Sequence, residues 1–170
     1  MSLEQRKTTR LKEYDYSLDG AYFITVCTKN RRQNLSKIVG TGVLDCPQIR
    51  LLKQGEIADK YIKQLSDFYD NIAVDKYIIM PDHIHMIIVV SNGQSGRPVP
   101  TNNQKIDNTN STVSKFVGTF KRFCNKEYGE NIWQPRYYDH VIRNEQDFKE
   151  AWEYIENNSM KWLLTHKTAP

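Results

Sequence analysis

Strand-like and helix-like hydrophobic patterns alternate along the first half of the chain. β-branched and aromatic residues predict a strand over 21–28, and apolar residues at helical spacing predict a helix over about 52–68. A second strand is predicted over 72–80, and the apolar run at 83–90 predicts a third almost immediately after it. Because so little chain separates these two strands, we expect an antiparallel hairpin that turns near Pro81-Asp82.

The second half predicts two more helices around one strand. A helix capped by Ser111 or Ser114 should run to about Tyr128, and a strand is predicted over 136–143. Asn144 should then cap a final helix that begins at Glu145. The predicted apolar face consists of Val113, Phe116, Val117, Phe120 and Cys124 in the first helix, and of Phe148, Ala151, Trp152 and Ile155 in the second.

Two stretches carry weaker patterns. Residues 34–51 contain Gly and Pro at several positions and predict either a loop or a short hairpin around 43–44 and 48–50. Residues 91–110 have almost no large apolar side chains and predict a flexible surface loop. Too little chain follows this loop for a second domain, so we expect a single domain over residues 4–170.

The order of the elements predicts the fold class. A β–α–β–β–α–β sequence followed by a terminal helix is typical of an α+β protein with a ferredoxin-like antiparallel sheet. We expect the helices to pack mainly on one face of that sheet.

Composition limits the possible partners and the cellular location of the protein, but it does not determine the function. The chain has 170 residues, with 24 Lys and Arg against 20 Asp and Glu, and its net charge of +4 suits a polyanionic partner without requiring one. Three cysteines without Cys-x-x-Cys spacing argue against a disulfide framework or a structural zinc knot. No long apolar run or signal-like hydrophobic region is present, so we expect no membrane association and a cytoplasmic location.

Two histidines are the first candidate for chemistry. Side chains alternate along a strand, so His83 and His85 should project from the same side, roughly 6–7 Å apart along the chain. Imidazoles placed in this way can hold one divalent metal ion and leave coordination positions open. A pair of core or surface histidines without a ligand is the alternative interpretation.

The final helix offers possible partners. Tyr154 and Asn158 are four positions apart and lie together at one margin of the apolar stripe. The amide oxygen of Asn158 can ligate a hard metal, and Tyr154 places a phenol one turn earlier. These residues could equally be an amphipathic boundary tyrosine and an asparagine at the end of a helix.

Several motifs in order carry a resemblance to a known family. They are RLKEYDY at 10–16, GAYFITVCT at 20–28, YIIMPDHIH at 77–85, IWQ at 132–134, YYDHVIRN at 137–144 and YIENN at 154–158. On these segments the chain resembles the REP-associated tyrosine transposases, a branch of the single-tyrosine, His-hydrophobic-His transposase superfamily. The similarity extends from about Arg10 to Trp162.

The resemblance implies a mechanism. In this family, residues matching His83, His85 and Asn158 hold Mg²⁺ or Mn²⁺, and the residue matching Tyr154 is the nucleophile on a C-terminal helix. The implied substrate is single-stranded or hairpin DNA, cleaved and rejoined through a 5′-phosphotyrosine intermediate by a monomer or a homodimer. Two positions depart from the family pattern, with Asp82 where Asn is frequent and Ser159 where Pro is frequent.

DNA binding should use basic residues with interleaved aromatics, which suit phosphates and unstacked bases. The candidates are Arg10, Lys12, Arg31, Arg32, Lys115, Lys121, Arg122, Arg136 and Arg143, with Trp133 and Tyr137 as stacking surfaces.

Two rival functions are also compatible with the sequence. One is a hydrolase in which His83, His85, Asp82 and His140 bind zinc and activate water. The other is a non-catalytic, ferredoxin-like module in which exposed sheet aromatics stack on nucleic-acid bases.

Overall fold

The computed structural model describes residues 14–39, 47–92 and 111–166. Within these residues the elements follow one another as β1 (Gly20–Cys27), β2 (Ser36–Val39), β3 (Gln48–Leu51), α1 (Lys53–Phe68), β4 (Ile72–Ile79), β5 (His83–Val90), α2 (Thr112–Tyr128), β6 (Tyr138–Ile142), α3 (Glu145–Glu156) and α4 (Asn158–His166). The expected loop lies mostly outside the described residues, as do Arg10 and Lys12. No helix within the described ranges is long and apolar enough to cross a membrane.

Four strands form the main sheet in the order β4-β5-β1-β6, and every neighbouring pair is antiparallel. Leaving aside the small β2–β3 hairpin, this is the strand order of a ferredoxin-like fold, and the predicted α+β fold class is confirmed. The predicted hairpin between β4 and β5 is also confirmed, since Ile79 pairs with Ile84 across the turn at Pro81-Asp82.

One face of the sheet carries the larger core, beneath α1 and α2. Alternate residues of the two central strands point into it, including Ile24 from β1 and Met86 from β5, both fully buried. The predicted inner face of α2 is confirmed, since Val113, Phe116, Val117, Phe120 and Cys124 are all buried. Ser111 caps this helix by accepting a hydrogen bond from the backbone N–H of Ser114.

The opposite face carries α3 over a smaller cluster of Ile87, Ile142 and Ile155. Asn144 caps α3 as predicted, by accepting from the backbone N–H of Asp147. Trp152 was expected in the buried stripe, but it is 40% exposed. It lies at the β4 margin of the sheet, where the Lys76 ammonium covers its ring at 3.1 Å from the centroid.

Two further details correct or complete the prediction. The short hairpin is formed by 36–39 with 48–51, so its first strand begins earlier than expected, and residues 40–46 lie outside the described ranges. The predicted final helix is two consecutive helices, because Asn157 ends α3 and α4 begins at the next residue.

At the start of α1, Gly55 lies directly against the backbone of Leu35, whose carbonyl oxygen would be 2.0 Å from an added Cβ.

Candidate functional site

The two histidines lie on the α3 side of the sheet, at one end of the central strand β5. Their rings are 4.5 Å apart between centroids, and both residues are buried, with 7% of His83 and 6% of His85 exposed. Strand alternation accounts for this placement, because Ile84 between them points into the opposite core.

The ring of His85 is held from two sides. Its Nδ1 lies 2.8 Å from the Thr25 hydroxyl oxygen on the neighbouring strand, and the ring of Phe23 stacks on it at 5.2 Å. Burial lowers the pKa of His85 to about 3, and the nearby charges of His83 and Arg31 act in the same direction. His85 is therefore neutral near pH 7, which is the form that binds metals, and Nε2 is the nitrogen left for a ligand.

The ring of His83 is held by a carboxylate. Its Nδ1 is 2.5 Å from one oxygen of Asp82, and the other oxygen lies 3.1 Å from Nε of Arg31. Burial alone would raise the pKa of Asp82, but the hydrogen bond and charge of His83, together with Arg31, bring it below its usual value. An ionised carboxylate that accepts from Nδ1 fixes the imidazole with Nε2 free, as in many metal sites.

Arg31 reaches this position from a tight turn that follows β1. Asn30 and Arg31 both have left-handed backbone angles, with φ of 57° and 54°, which are uncommon for residues with side chains. The guanidinium of Arg31 also donates to Sγ of Cys27 at 2.8 Å. Burial raises the pKa of this thiol, and the opposing effect of Arg31 does not reverse the shift.

Helices α3 and α4 bring two aromatic side chains to the histidines. The ring of Tyr154 meets His85 edge-on at 5.2 Å, and the ring of Trp162 on α4 lies 6.0 Å from His83. Asn158 is buried at the first position of α4, between Tyr154 near the end of α3 and Trp162 further along α4. Tyr154 itself is 41% exposed, so its phenol remains accessible from outside. Residues separated by about 70 positions are thus brought together within one chain.

The donor set fits a divalent cation. Two imidazole Nε2 atoms and one amide oxygen would supply three ligands and leave positions open to a substrate. Within the described ranges, no three His, Cys, Asp or Glu side chains are grouped so that they could hold a metal. A third protein ligand beside the two histidines would therefore have to be a side chain of another type, and the family resemblance implies the Asn158 amide.

The zinc site built from His83, His85, Asp82 and His140 is wrong for the described structure. His140 is engaged elsewhere, with Nε2 2.9 Å from a carboxylate oxygen of Asp147 at the beginning of α3. It pairs with Phe23 on β1, two positions along the strand from Thr25. Asp82 is occupied by His83 and Arg31, so these four side chains do not converge.

Some of the predicted DNA-binding residues do lie beside the site. An open groove follows the end of β1 next to the histidines, and Arg31, Arg136 and Lys29 contribute cationic side chains to it. Arg32 is exposed directly after the same turn, and Arg143 is exposed at the far end of β6.

Three other candidates are structural, which corrects the prediction. Trp133 is only 1% exposed and packs against Phe120, so neither of its faces is available to a base. Tyr137 is buried, with its hydroxyl 2.9 Å from that of Ser114. The ammonium of Lys121 donates to the backbone carbonyls of Gln134 at 2.7 Å and Arg136 at 3.0 Å.

Lys115 and Arg122 are exposed on α2, on the other side of the sheet from the histidines.

Sequence reasoning missed two residues of this site. Tyr138 is 53% exposed and lines the groove, and Thr25 holds His85. Strand alternation indicates that Tyr137 and Tyr138 face opposite ways, and that Thr25 shares a face with Phe23, but it does not indicate which face carries the site.

Comparisons with known proteins agree with the motifs. No protein-family model matches the chain. The chain is 29% identical over 170 residues to an uncharacterized protein of Haemophilus influenzae, covering 94% of this chain and 91% of that protein. It is 26% identical over 146 residues to the REP-associated tyrosine transposase of Escherichia coli K12, covering 86% of this chain and 70% of that protein.

The structure is likewise similar to a solved structure of a REP-associated tyrosine transposase bound to a REP hairpin. The TM-score is 0.59 at 23% identity, covering 95% of this chain and 74% of that one. The resemblance drawn from the motifs is therefore confirmed, and the fold is the one found in that structure.

Proposed function

We propose that this chain, which resembles REP-associated tyrosine transposases along nearly its whole length, is a transposase that cleaves and rejoins single-stranded DNA through a covalent tyrosine intermediate. The observation that carries the proposal is the contact between Tyr154 and His85, with the two rings 5.2 Å apart in one chain. An accessible phenol beside two imidazoles that Thr25 and Asp82 hold in place supports a tyrosine nucleophile at this site.

In the cleavage step, Oη of Tyr154 forms a bond to the phosphorus of the scissile phosphodiester, and the bond from phosphorus to the 3′ oxygen breaks. The phenolic proton passes to solvent, and the departing 3′ oxygen takes up a proton to become a hydroxyl. The 5′ end stays attached to Tyr154, and attack by a 3′ hydroxyl on that linkage reverses the step and rejoins a strand.

His83, His85 and Asn158 are proposed to hold Mg²⁺ or Mn²⁺. When bound, the metal would supply Lewis-acid stabilisation of the charge on the phosphate oxygens. Asp82 and Thr25 would keep the two imidazoles in the tautomer that presents Nε2. The ring of Phe23, stacked on His85 and in edge contact with Tyr154 at 5.8 Å, would fix the distance between nucleophile and ligand.

The DNA is proposed to enter along the groove that contains Lys29, Arg31 and Arg136, since cationic side chains bind the phosphate backbone. A hairpin substrate is the natural choice to test, because the relative with the similar fold was solved bound to a REP hairpin.

The test is covalent trapping on a hairpin with a single-stranded flank, in the presence of Mn²⁺. DNA labelled at its 3′ end should move with the protein in a denaturing gel, and DNA labelled at its 5′ end should not. Tyr154→Phe should bind the DNA and form no adduct, whereas Tyr61→Phe, on α1 across the sheet, should form it as the unchanged protein does. An adduct that persists in Tyr154→Phe would contradict the assignment of the nucleophile.

The non-catalytic alternative makes a different prediction for the same assay. A simple binding module would retain the hairpin equally well with and without a chelator, and it would release no shorter strand under any condition.

A further inference from the structure

We propose that the ring of Tyr138 is a stacking platform for one unpaired base, located one or two nucleotides from the phosphate that reaches Tyr154. This inference deepens the proposed function and rests on it. It identifies the part of the groove that would bind a base and the kind of nucleotide that the part would accept.

Strand register places Tyr138 in line with the histidines. Tyr138 on β6 is the partner of Thr25 on β1, and Thr25 is in turn the partner of His85 on β5. These residues form one row across the sheet, and the three side chains project from the α3 side. Two strand spacings separate the ends of the row, roughly 10 Å. A base stacked on Tyr138 therefore belongs to a nucleotide near the reacting phosphate.

The surroundings of Tyr138 suit a single strand. Its side chain is exposed, and Arg136, Lys29 and Arg31 line the same groove. Alternation of cations with an aromatic ring is the usual arrangement of surfaces that follow a phosphate backbone while stacking its bases. A base can stack on the ring only if that face is not already covered by a neighbouring base, as it is inside a duplex, so the platform favours single-stranded DNA over duplex DNA.

The backbone that presents the ring is fixed before any DNA arrives. The ammonium of Lys121 donates hydrogen bonds to the backbone carbonyls of Gln134 and Arg136. The backbone N–H of Gln134 donates to the carbonyl of Cys27 at 2.9 Å. Tyr137, next in the chain, is anchored in the core. Because the segment is already ordered, stacking would cost little conformational entropy, and the platform is preorganised.

The test combines a variant with a modified DNA. Tyr138→Ala should weaken binding of a hairpin with a single-stranded flank by roughly 5- to 150-fold, the range found when base–aromatic stacking is removed, while Tyr138→Phe should bind normally. Phe68→Ala is the matched control, since Phe68 is 76% exposed on α1 across the sheet and its loss should change nothing.

Abasic substitutions in the flank, scanned one position at a time, then locate the stacked base. At one position the abasic DNA should bind the unchanged protein more weakly by a similar factor, yet bind Tyr138→Ala no more weakly than intact DNA does. A fluorescent 2-aminopurine at this position should be quenched by the unchanged protein and by Tyr138→Phe, and should remain bright with Tyr138→Ala.

The outcomes separate this inference from the proposed function. If the unchanged protein forms the tyrosine adduct but no abasic position shows this dependence on Tyr138, the platform is refuted and the transposase assignment stands. If the adduct never forms and the dependence is still seen, the stacking site stands without the chemistry. Equal losses for Tyr138→Ala and Phe68→Ala would also overturn the platform.

Discussion

The carboxylate of Asp82 should set the affinity of the histidine pair for a divalent metal. It is buried, lies 2.5 Å from Nδ1 of His83, and is held from its other side by Arg31. Asp82→Ala would leave the imidazole free to rotate or to change tautomer, and removal of such a supporting group typically lowers metal affinity by about 10- to 100-fold. This factor corresponds to about 1.4–2.7 kcal/mol of binding free energy.

The measurement is a titration of the purified protein with Mn²⁺, with free ion followed by electron paramagnetic resonance. Asp82→Asn keeps an oxygen acceptor without the negative charge, so its affinity should fall between those of the unchanged protein and Asp82→Ala. Chemical denaturation should show a folded Asp82→Ala that is less stable by about 1–3 kcal/mol, because the buried His83 ring loses a hydrogen-bond partner.

Asp147→Ala provides the matched control, because it removes a second carboxylate that contacts a histidine on this face of the sheet. His140 is not among the proposed ligands, so Mn²⁺ affinity should stay unchanged in this variant. A supporting role for Asp82 would be refuted if Asp82→Ala bound Mn²⁺ as tightly as the unchanged protein, or if Asp147→Ala weakened binding equally.

Two further predictions concern stability. Gly55→Ala should destabilise the fold by about 2–3 kcal/mol in urea denaturation, because the added Cβ would meet the Leu35 carbonyl oxygen. Gly118→Ala is the control, because Gly118 lies in open space on α2, and this variant should be more stable by about 0.5–1 kcal/mol. Equal effects of the two substitutions would contradict the close contact at Gly55. The metal-free protein should also lose about 2 kcal/mol between pH 7 and pH 5. The pKa of His85 is about 3 in the folded protein and near 6.5 in the unfolded chain, so between these values only the unfolded chain binds the proton. The free energy of unfolding therefore decreases as the pH falls from 7 to 5. His85→Phe should flatten that pH dependence, and an unchanged slope would show that another group causes it.

Local sequence patterns predicted much of this fold because each depends on near neighbours. The apolar run at 83–90 forms the predicted strand, the helical spacing at 112–128 forms the predicted helix, and Asn144 caps α3 as predicted. Trp152 shows the limit of such patterns. Its helical position suits burial, but whether it is covered depends on where the sheet ends and on Lys76 from a distant strand.

The aromatic residues beside the site show a second limit. Alternation states that Tyr137 and Tyr138 face opposite ways, but it does not say which face lies under α2. That choice depends on long-range packing, here on the contact between Tyr137 and Ser114. The meeting of the final helices with the histidines is likewise long-range. It was expected from the resemblance to a family, and periodicity alone left it open.

The two halves of the site differ in how firmly the fold holds them. The imidazoles lie on β5, which has a hydrogen-bonded strand on each side, whereas α3 contributes Ile155 as its one buried side chain in the described structure. Amide hydrogens should therefore exchange sooner in this helix than in the central sheet. A modest rise in temperature should detach the phenol from the imidazoles while the β-sheet stays intact, so the proposed covalent chemistry would be lost before the protein melts.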